Sequence, residues 1–355
     1  MRHAWRDYMS DRVRERRAGG GSGPTLVDIA RAAGVSTATV SRVLNAPDSV
    51  KAERAERVRR AIATLGYLPN GSARALASRR SMSIGAVIPT LDNAIFAKGL
   101  EAFQTRLQEA GYSLILASSG YGLEEEARLA ETLLERRVDG LMLVGQQHQA
   151  GLLERLSALG VPHVLSWAHD RSGRLPCIGF DNREAAAAMT RHLAGLGHRR
   201  FAMIAGKTEA NDRARDRVAG VRSVLAELGE TLPANAILEV PYSYAEGREA
   251  MRWLLSRQDR PSAVICGNDV LAIGAVLGAQ DAGLSVPGDI SIAGFDDLPL
   301  AGELRPALTT MRVPAAEMGR QAADWLIASL AGKETALPEA LPVELVVRQT
   351  TGRAA

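Results

Sequence analysis

From residue 82 onward the sequence alternates between short apolar runs and longer amphipathic segments. Runs such as 84–88, 140–144 and 201–205 contain no charged residue and so lack a polar face. Strands of this kind, separated by helical segments, are typical of parallel sheets that helices cover on both faces. About ten strands over roughly 270 residues exceed what one such sheet usually needs. We therefore predict two α/β lobes on doubly wound parallel sheets, with a ligand cleft at the strands' carboxyl ends.

The apolar runs and the helical periodicities fix approximate positions for these elements. The predicted strands are 84–88, 113–117, 140–144, 163–166, 201–205, 263–266 and 290–293. The predicted helices are 95–110, 123–136, 182–195, 212–228, 245–257, 268–282 and 314–331.

The segment before the first strand has only helical periodicity, which predicts an all-α head. Thr25 and Ser36 can cap two short helices, and Gly34 between them allows a tight turn with positive φ. A third helix is predicted from about residue 51 to residue 65. Two short helices around a glycine turn, with a third as support, form the helix-turn-helix pattern of DNA-binding domains.

The charge distribution separates the head from the rest of the chain. Residues 1–80 contain 16 Lys and Arg against 7 Asp and Glu, whereas residues 81–355 contain 27 against 33. Residues 1–23 read as a basic disordered tail that ends in a Gly-rich linker. Without this tail, residues 24–80 still contain 10 basic against 4 acidic residues. The head therefore has the charge expected of a domain that binds a polyanion.

Several classes of protein are excluded. No apolar run approaches the length of a membrane span, and no apolar segment at the N-terminus resembles a secretory signal, so we expect a cytoplasmic protein. Two cysteines, Cys177 and Cys266, are too few for a disulfide scaffold or a zinc site. The P-loop pattern fails because Phe201 stands where its first glycine belongs. We expect no catalytic residue, no metal ion and no cofactor.

The second helix of the head carries side chains suited to reading DNA. Arg42 can bind guanine O6 and N7 in a bidentate pair, and the methyl groups of Thr37 and Ala38 suit the thymine methyl. Ser36, Thr39 and Asn45 can donate hydrogen bonds to phosphates. The alternative is an ordinary helical bundle in which Arg42 is simply solvated.

A long ordered set of residues resembles the lactose-repressor (LacI/GalR) family of bacterial transcription regulators. The resemblance extends from about residue 24 to residue 351. In the head the matching residues are Thr25-Leu-Val-Asp-Ile-Ala, Ala33-Gly-Val-Ser36, Thr39-Val-Ser-Arg-Val-Leu-Asn45, Gly66-Tyr67, Pro69-Asn70, Ala73-Arg74 and Leu76. In the body they include Gly179-Phe-Asp-Asn182, Arg217-Val-Ala-Gly220, Cys266-Gly-Asn-Asp269 and Gly294-Phe-Asp-Asp297.

The resemblance implies that the segment after Asn70 becomes a hinge helix on DNA, where Leu76 from each subunit wedges into the minor groove. The alternative from the residues alone is a plain helical linker. The full set of implied DNA contacts is Thr25, Ser36, Thr37, Ala38, Thr39, Ser41, Arg42, Asn45, Asn70, Arg74 and Leu76.

The resemblance also implies that the body has the two-lobed, periplasmic-binding-protein-like (type I) fold, with an effector site between the lobes. Arg217 matches a ligand-clamping arginine, Asn268 an amide contact and Asp296 a carboxylate that accepts hydrogen bonds from ligand hydroxyls. The alternatives without a ligand are a surface ion pair for Arg217, a helix N-cap for Asn268 and a loop cap for Asp296. The aromatic residues Phe96, Trp167 and Tyr242 are candidates to line the pocket or to belong to the core. Trp167 stands where many relatives have an acidic residue.

The expected domain organisation follows from these assignments. It comprises a tail (1–23), a helix-turn-helix domain (24–71), a hinge (72–81) and an effector-binding and dimerisation domain (82–355). Within that domain, lobe 1 spans about 82–178 and 313–335, and lobe 2 spans about 179–312 and 336–355.

The expected function is a homodimeric repressor of transcription that binds a pseudo-palindromic DNA operator in the nucleoid. The effector is expected to be a small carbohydrate or a sugar acid, because residues 88–97 most resemble the gluconate-repressor branch. No leucine heptads occur near the C-terminus, which favours a dimer over a tetramer. The rival functions are a sugar carrier and an enzyme that uses Asp296 or His198 as a base.

The hinge hypothesis makes a direct prediction. Replacing Leu76 with Ala removes the apolar wedge, so specific operator binding should weaken while the fold stays intact. Operator affinity measured by gel shift, together with circular dichroism of the same variant, checks both statements. Unchanged operator affinity would exclude the wedge.

Overall fold

The computed structural model describes residues 23–45, 49–67, 80–336 and 339–354. The chain divides after Arg79 into two units, which we call the head and the body. The predicted contacts Asn70, Arg74 and Leu76, most of the hinge and nearly all of the tail lie outside the described residues.

The head contains three short helices whose ends follow from local sequence. Thr25 begins the first helix in a capping box: its hydroxyl accepts from the amide of Asp28, and the Asp28 carboxylate accepts from the Thr25 amide at 2.9 Å. Gly34 ends this helix with φ of 64°, and Ser36 Oγ accepts the Thr39 amide at the start of the second. The helices are α1 (Leu26–Ala33), α2 (Thr37–Asn45) and α3 (Ala52–Leu65).

The first sheet of the body contains five parallel strands in the order β2-β1-β3-β4-β5. The central strands β1 and β3 are buried almost throughout, which explains their uninterrupted apolar sequence. The strands are β1 (Ser83–Ile88), β2 (Ser113–Ser118), β3 (Gly140–Val144), β4 (His163–Ser166) and β5 (Cys177–Ile178), and the helices between them are α4 (Ala94–Glu109), α5 (Leu123–Glu135) and α6 (Leu152–Ala158).

The second sheet contains six strands in the order β11-β10-β9-β8-β6-β7, of which only β11 is antiparallel to its neighbour. Its strands are β6 (Phe201–Gly206), β7 (Ile237–Val240), β8 (Ala263–Cys266), β9 (Ser291–Asp296), β10 (Thr309–Arg312) and β11 (Glu344–Val346). Its helices are α7 (Asn182–Gly195), α8 (Asp212–Glu227), α9 (Tyr244–Ser256), α10 (Asp269–Asp281) and the short α11 (Pro299–Glu303).

The last helix, α12 (Ala315–Leu330), follows a strand of the second sheet but packs against α4 and β4 of the first. The chain then returns to the second sheet as β11. The two sheets with their helices, which we call the first and second lobes, are therefore joined by three chain crossings. Crossings of this kind can act as hinges between lobes.

The predicted fold class is confirmed: a helical head is followed by two lobes with mostly parallel sheets. Each of the seven predicted strands overlaps an observed one. The structure adds four short strands that the sequence did not indicate, β5, β7, β10 and β11. None of the described helices has the length and apolar character needed to cross a membrane.

The packing of α4 against α12 generates a stability prediction. At Gly319 a side chain would overlap the carbonyl oxygen of Gly99 on the facing helix. We expect Gly319→Ala to lower the free energy of unfolding by about 1–3 kcal/mol, because the helices must separate. Gly195→Ala is the matched control, since nothing lies near the added methyl group at the end of α7. Urea unfolding of both variants measures the difference, and equal stabilities would contradict it.

Candidate functional site

A cavity lies between the two lobes at the carboxyl ends of their strands. Its walls come from segments that directly follow β1, β2, β4, β6, β7, β8 and β9, as expected for ligand sites in parallel α/β sheets. The structure brings all six predicted effector residues together there. The lining residues are Asn93, Ile95, Phe96, Tyr121, Trp167, Asn211, Arg213, Arg217, Tyr242, Asn268 and Asp296.

Arg217 on α8 forms the floor of the cavity. Its Nε donates to Asn182 Oδ1 at 2.9 Å, its Nη1 donates to the carbonyl of Gly267, and the guanidinium stacks on the Phe295 ring 3.8 Å from the centroid. Burial lowers the pKa of Arg217, and the nearby Asp296 opposes that shift. The alternative of a surface ion pair is wrong, because the residue is buried and its hydrogen bonds go to an amide and a carbonyl.

Asp296 ends β9 and is 5% exposed. Its side chain makes no hydrogen bond with any described residue, so it is not a loop cap. Burial raises the pKa of this carboxyl well above its usual range, Arg217 opposes the shift, and Asp269 adds to it. A buried carboxylate with free acceptor positions is suited to accept hydrogen bonds from ligand hydroxyls.

Asn268 combines the two roles that the sequence analysis treated as alternatives. Its Oδ1 accepts the amide of Leu271 at 2.9 Å and caps α10. Its Nδ2 is buried and has no hydrogen-bond partner among the described residues, as is also true of the indole Nε1 of Trp167. Buried donors without acceptors cost free energy that a ligand can recover.

Aromatic rings form the remaining walls. Phe96 and Trp167 pack with centroids 5.1 Å apart, and Tyr121 and Tyr242 with centroids 5.9 Å apart. The Tyr242 hydroxyl accepts from Asn211 Nδ2 at 3.3 Å. Burial raises the pKa of both tyrosines, so they are neutral donors at physiological pH. Phe96 and Trp167 are thus both core residues and cavity walls.

Three of the six non-glycine residues with positive φ in the described part of the chain line this cavity. Tyr121, Trp167 and Asp296 have φ values of 67°, 60° and 120°, a region that L-residues rarely occupy. Such conformations cost about 1–3 kcal/mol each and persist where the surroundings impose them. Their grouping around one cavity is typical of a functional site.

The space is divided into two parts. The inner cavity has a volume of about 30 Å³, which suits a single water molecule. A larger chamber of about 440 Å³ lies outside it and shares the side chains of Asn93, Tyr121, Asn211 and Tyr242. A ligand that reaches Arg217 and Asp296 therefore requires the rings or the lobes to move.

The lobes contact each other directly beside the cavity. Asp212 accepts the backbone amide of Gln146 at 2.7 Å and pairs with Arg213, which donates to the carbonyl of Val144 at 3.1 Å. Gly145 makes this approach possible, because a side chain there would overlap the Arg213 guanidinium. These contacts join the end of β3 in the first lobe to the start of α8 in the second.

Four polar or aromatic residues of the cavity were missed by the sequence analysis: Asn93, Tyr121, Asn211 and Arg213. Asn93 and Asn211 cap α4 and α8, as Asn268 caps α10. Their position between a strand end and a helix start was the available signal.

In the head, Thr37, Ala38 and Arg42 are exposed, as a DNA-reading surface requires. Thr25 and Ser36 are exposed but also cap helices, while Thr39 and Ser41 are half-buried. The side chain of Asn45 lies outside the described part of the structure.

Comparison with known proteins identifies the family. Residues 25–70 match the family described as bacterial regulatory proteins, lacI family, and residues 190–351 match the periplasmic binding protein-like domain. The chain is 37% identical over 331 residues to the HTH-type transcriptional regulator GntR of Pseudomonas aeruginosa, covering 92% of this chain and 96% of the relative. It is 34% identical over 332 residues to catabolite control protein A of Priestia megaterium, covering 92% and 99%.

The chain belongs to the lacI family of bacterial regulatory proteins. A crystal structure of the lac repressor dimer bound to operator and the anti-inducer ONPF is similar, with a TM-score of 0.83 and 30% identity over 93% of this chain and all of that one.

Membership of the lacI family confirms a transcriptional regulator with a DNA-binding head and not an enzyme. The version of the enzyme alternative that uses His198 as a base also fails locally. His198 is buried, and its ring nitrogens contact the hydroxyls of Ser262 and Ser291 and the carbonyl of Gly352, away from the cavity.

The ionisation of Asp296 predicts a pH-dependent effect of Asp296→Asn. Because its pKa is raised in the folded state, the native chain loses stability as pH rises above the unfolded-state pKa near 4. The variant should therefore be more stable than the native chain at pH 7, because it has no buried charge to desolvate. This advantage should shrink towards pH 4, and urea unfolding across that range measures it.

Asp297→Asn is the control of opposite sign. Burial alone would raise the pKa of Asp297, but hydrogen bonds from Arg312 and Arg348 lower it below its usual value. Its ionised form therefore stabilises the fold above the unfolded-state pKa, and that stability is lost as pH falls through the lowered pKa. The variant should be less stable than the native chain at pH 7. Equal pH profiles for the two variants would contradict the assignment.

Proposed function

We propose that this regulator is a homodimeric repressor whose operator affinity is controlled by a sugar or sugar acid bound between the lobes. The observation that carries the effector assignment is the set of buried donors in the cavity that lack acceptors. In the part of the chain that the structure describes, Asn268 Nδ2 and Trp167 Nε1 have no acceptor, and Arg217 makes no ion pair within hydrogen-bond distance.

The polarity of the cavity favours a ligand with both an acidic group and hydroxyls. A ligand carboxylate would satisfy the unpaired donors and compensate the buried Arg217, since charge-assisted hydrogen bonds are the stronger kind. Ligand hydroxyls would donate to Asp296, and the aromatic walls would cover the carbon skeleton. The similarity to GntR over nearly the whole chain supports the same interpretation.

The proposed mechanism links this cleft to DNA. Effector binding would alter the contacts between Asp212, Arg213 and the end of β3, and so the relative position of the lobes. Two heads would read two half-sites of a pseudo-palindromic operator in the cytoplasm, as protein symmetry mirrors DNA symmetry. Arg42, Thr37 and Ala38 would contact bases, with the other predicted head residues on phosphates.

The domain boundaries belong to this proposal. Residues 1–23 would be a tail, 24–71 the DNA-binding domain, 72–81 the hinge with its Leu76 wedge, and 82–355 the effector and dimerisation domain. A change of lobe position would reach DNA through the hinge. Effector and operator affinities would then be coupled reciprocally.

Calorimetric titration with gluconate and with glucose tests the effector. Gluconate should bind at least about tenfold more tightly, because its charged carboxylate accepts from the unpaired donors more strongly than a glucose hydroxyl does. Asn268→Ser keeps an N-cap oxygen but removes the amide donor, and it should weaken gluconate binding by about tenfold. Ser243→Ala is the control: it removes the N-cap of α9 outside the cavity and should cost only stability.

A gel shift with the operator then tests the coupling. Saturating gluconate should change operator affinity by at least about fivefold in either direction. Gluconate binding without such a change would contradict regulation through this cleft. Failure of gluconate and of other sugars and sugar acids to bind would contradict the carbohydrate assignment.

A further inference from the structure

A second pocket, separate from the cleft, lies on the surface of the second lobe. It has a volume of about 550 Å³, within the range of small-molecule sites. Its floor is apolar and comes from Val218 and Ala219 on α8 and from Ile237 on β7. None of the residues proposed to bind effector or DNA lines this pocket.

Three arginines from two helices border the pocket: Arg183, Arg215 and Arg222. Arg215 and Arg222 lie two turns apart on α8 and therefore on the same face. Arg183 lies where the start of α7 crosses α8. Its carbonyl packs so closely against Gly220 that a side chain at position 220 would overlap the carbonyl oxygen. Gly220 lies between Arg215 and Arg222 in sequence, and the three arginines line the same pocket.

The positive charge of this pocket exceeds the negative charge, because three arginines and one carboxylate are among its described lining residues. Arg183 and Arg222 form no ion pair with any described residue, whereas Arg191, on the same helix as Arg183, pairs with Glu184 at 2.7 Å. The pocket contains one carboxylate, that of Glu239, which already accepts from the backbone amide and the hydroxyl of Thr208. The electrostatics therefore favour an anion.

We propose that this pocket binds a small organic phosphate, with the phosphate among the three arginines and the carbon skeleton on the apolar floor. Guanidinium groups bind phosphate oxygens through paired, charge-assisted hydrogen bonds. The floor of Val218, Ala219 and Ile237 provides the contact area that inorganic phosphate would leave uncovered.

Binding at this pocket is connected to the cleft through Arg215. Its Nη1 donates to Gln147 Oε1 of the first lobe at 2.9 Å, and Gln147 Nε2 donates to the carbonyl of Glu209 at 3.0 Å. A phosphate that draws Arg215 towards the pocket removes this contact between the lobes. The bound phosphate thereby lowers affinity for the cleft effector, and the effector lowers affinity for the phosphate by the same factor.

Calorimetry on the full chain with AMP as the probe tests the binding. AMP should bind with one site per chain, and adenosine and inorganic phosphate should each bind at least tenfold more weakly. The double variant Arg183→Gln/Arg222→Gln should lose at least tenfold in AMP affinity. The control Arg191→Gln, on the same helix as Arg183 but already paired, should bind AMP as the native chain does.

Two results would overturn the proposal. One is AMP affinity unchanged in the double variant. The other is AMP binding that is lost in the cleft variant Asn268→Ser but kept in the double variant, which would make AMP a cleft ligand.

Only the coupling between the phosphate pocket and the cleft rests on the proposed function. Its test distinguishes failure of the phosphate site from failure of the proposed effector. Saturating gluconate should lower AMP affinity at least threefold. In Arg215→Gln, AMP affinity should be the same with and without gluconate, whatever the effect of the substitution on AMP affinity itself. If gluconate does not bind, the proposed effector fails while the AMP measurements still decide the phosphate site. If gluconate binds and leaves AMP affinity unchanged, the link through Arg215 is wrong.

Discussion

The cleft depends on the hydrogen bonds and ring contact that hold the buried guanidinium of Arg217. A cation removed from water is tolerated only where hydrogen bonds and a favourable surface replace hydration. Here Asn182 at the start of α7, the Gly267 carbonyl after β8 and the Phe295 ring in β9 supply them. Three elements of the second lobe are therefore positioned by one side chain. Asn182 also donates to the Trp167 carbonyl at 3.0 Å, which ties the floor to the first lobe.

Several features of the same site lower the stability of the fold. It holds residues with unfavourable φ, a carboxyl with a raised pKa and donors without acceptors, whereas the strands beneath it are fully packed. Interiors normally satisfy their polar groups, so exceptions grouped in one place indicate a ligand that completes them. The mixture matters: Asn268 and Trp167 require acceptors, while Asp296 requires donors. A hydrocarbon satisfies neither, and a polyhydroxylated acid satisfies both.

Much of this arrangement was predictable from sequence, for different reasons at different residues. Helical periodicity located α7 and α8 closely, because long amphipathic helices have a strong pattern. The strand β7 was missed since it is short, half-buried and contains Glu239. The resemblance supplied Arg217 and Asp296, but no pattern predicted that Asp296 would adopt a positive φ without a hydrogen-bond partner. Such features arise from tertiary packing and not from local sequence.

The pair of Asp212 and Arg213 differs from an ordinary surface ion pair because it joins the two lobes. Their pair is buried, and each partner also bonds to the backbone at the end of β3, where Gly145 leaves room for them. Separation of the lobes exposes this pair to water and frees its backbone partners together. Because several bonds break in one step, the lobes should favour two discrete arrangements over a continuum. A two-state element of this kind is what coupling between distant sites requires.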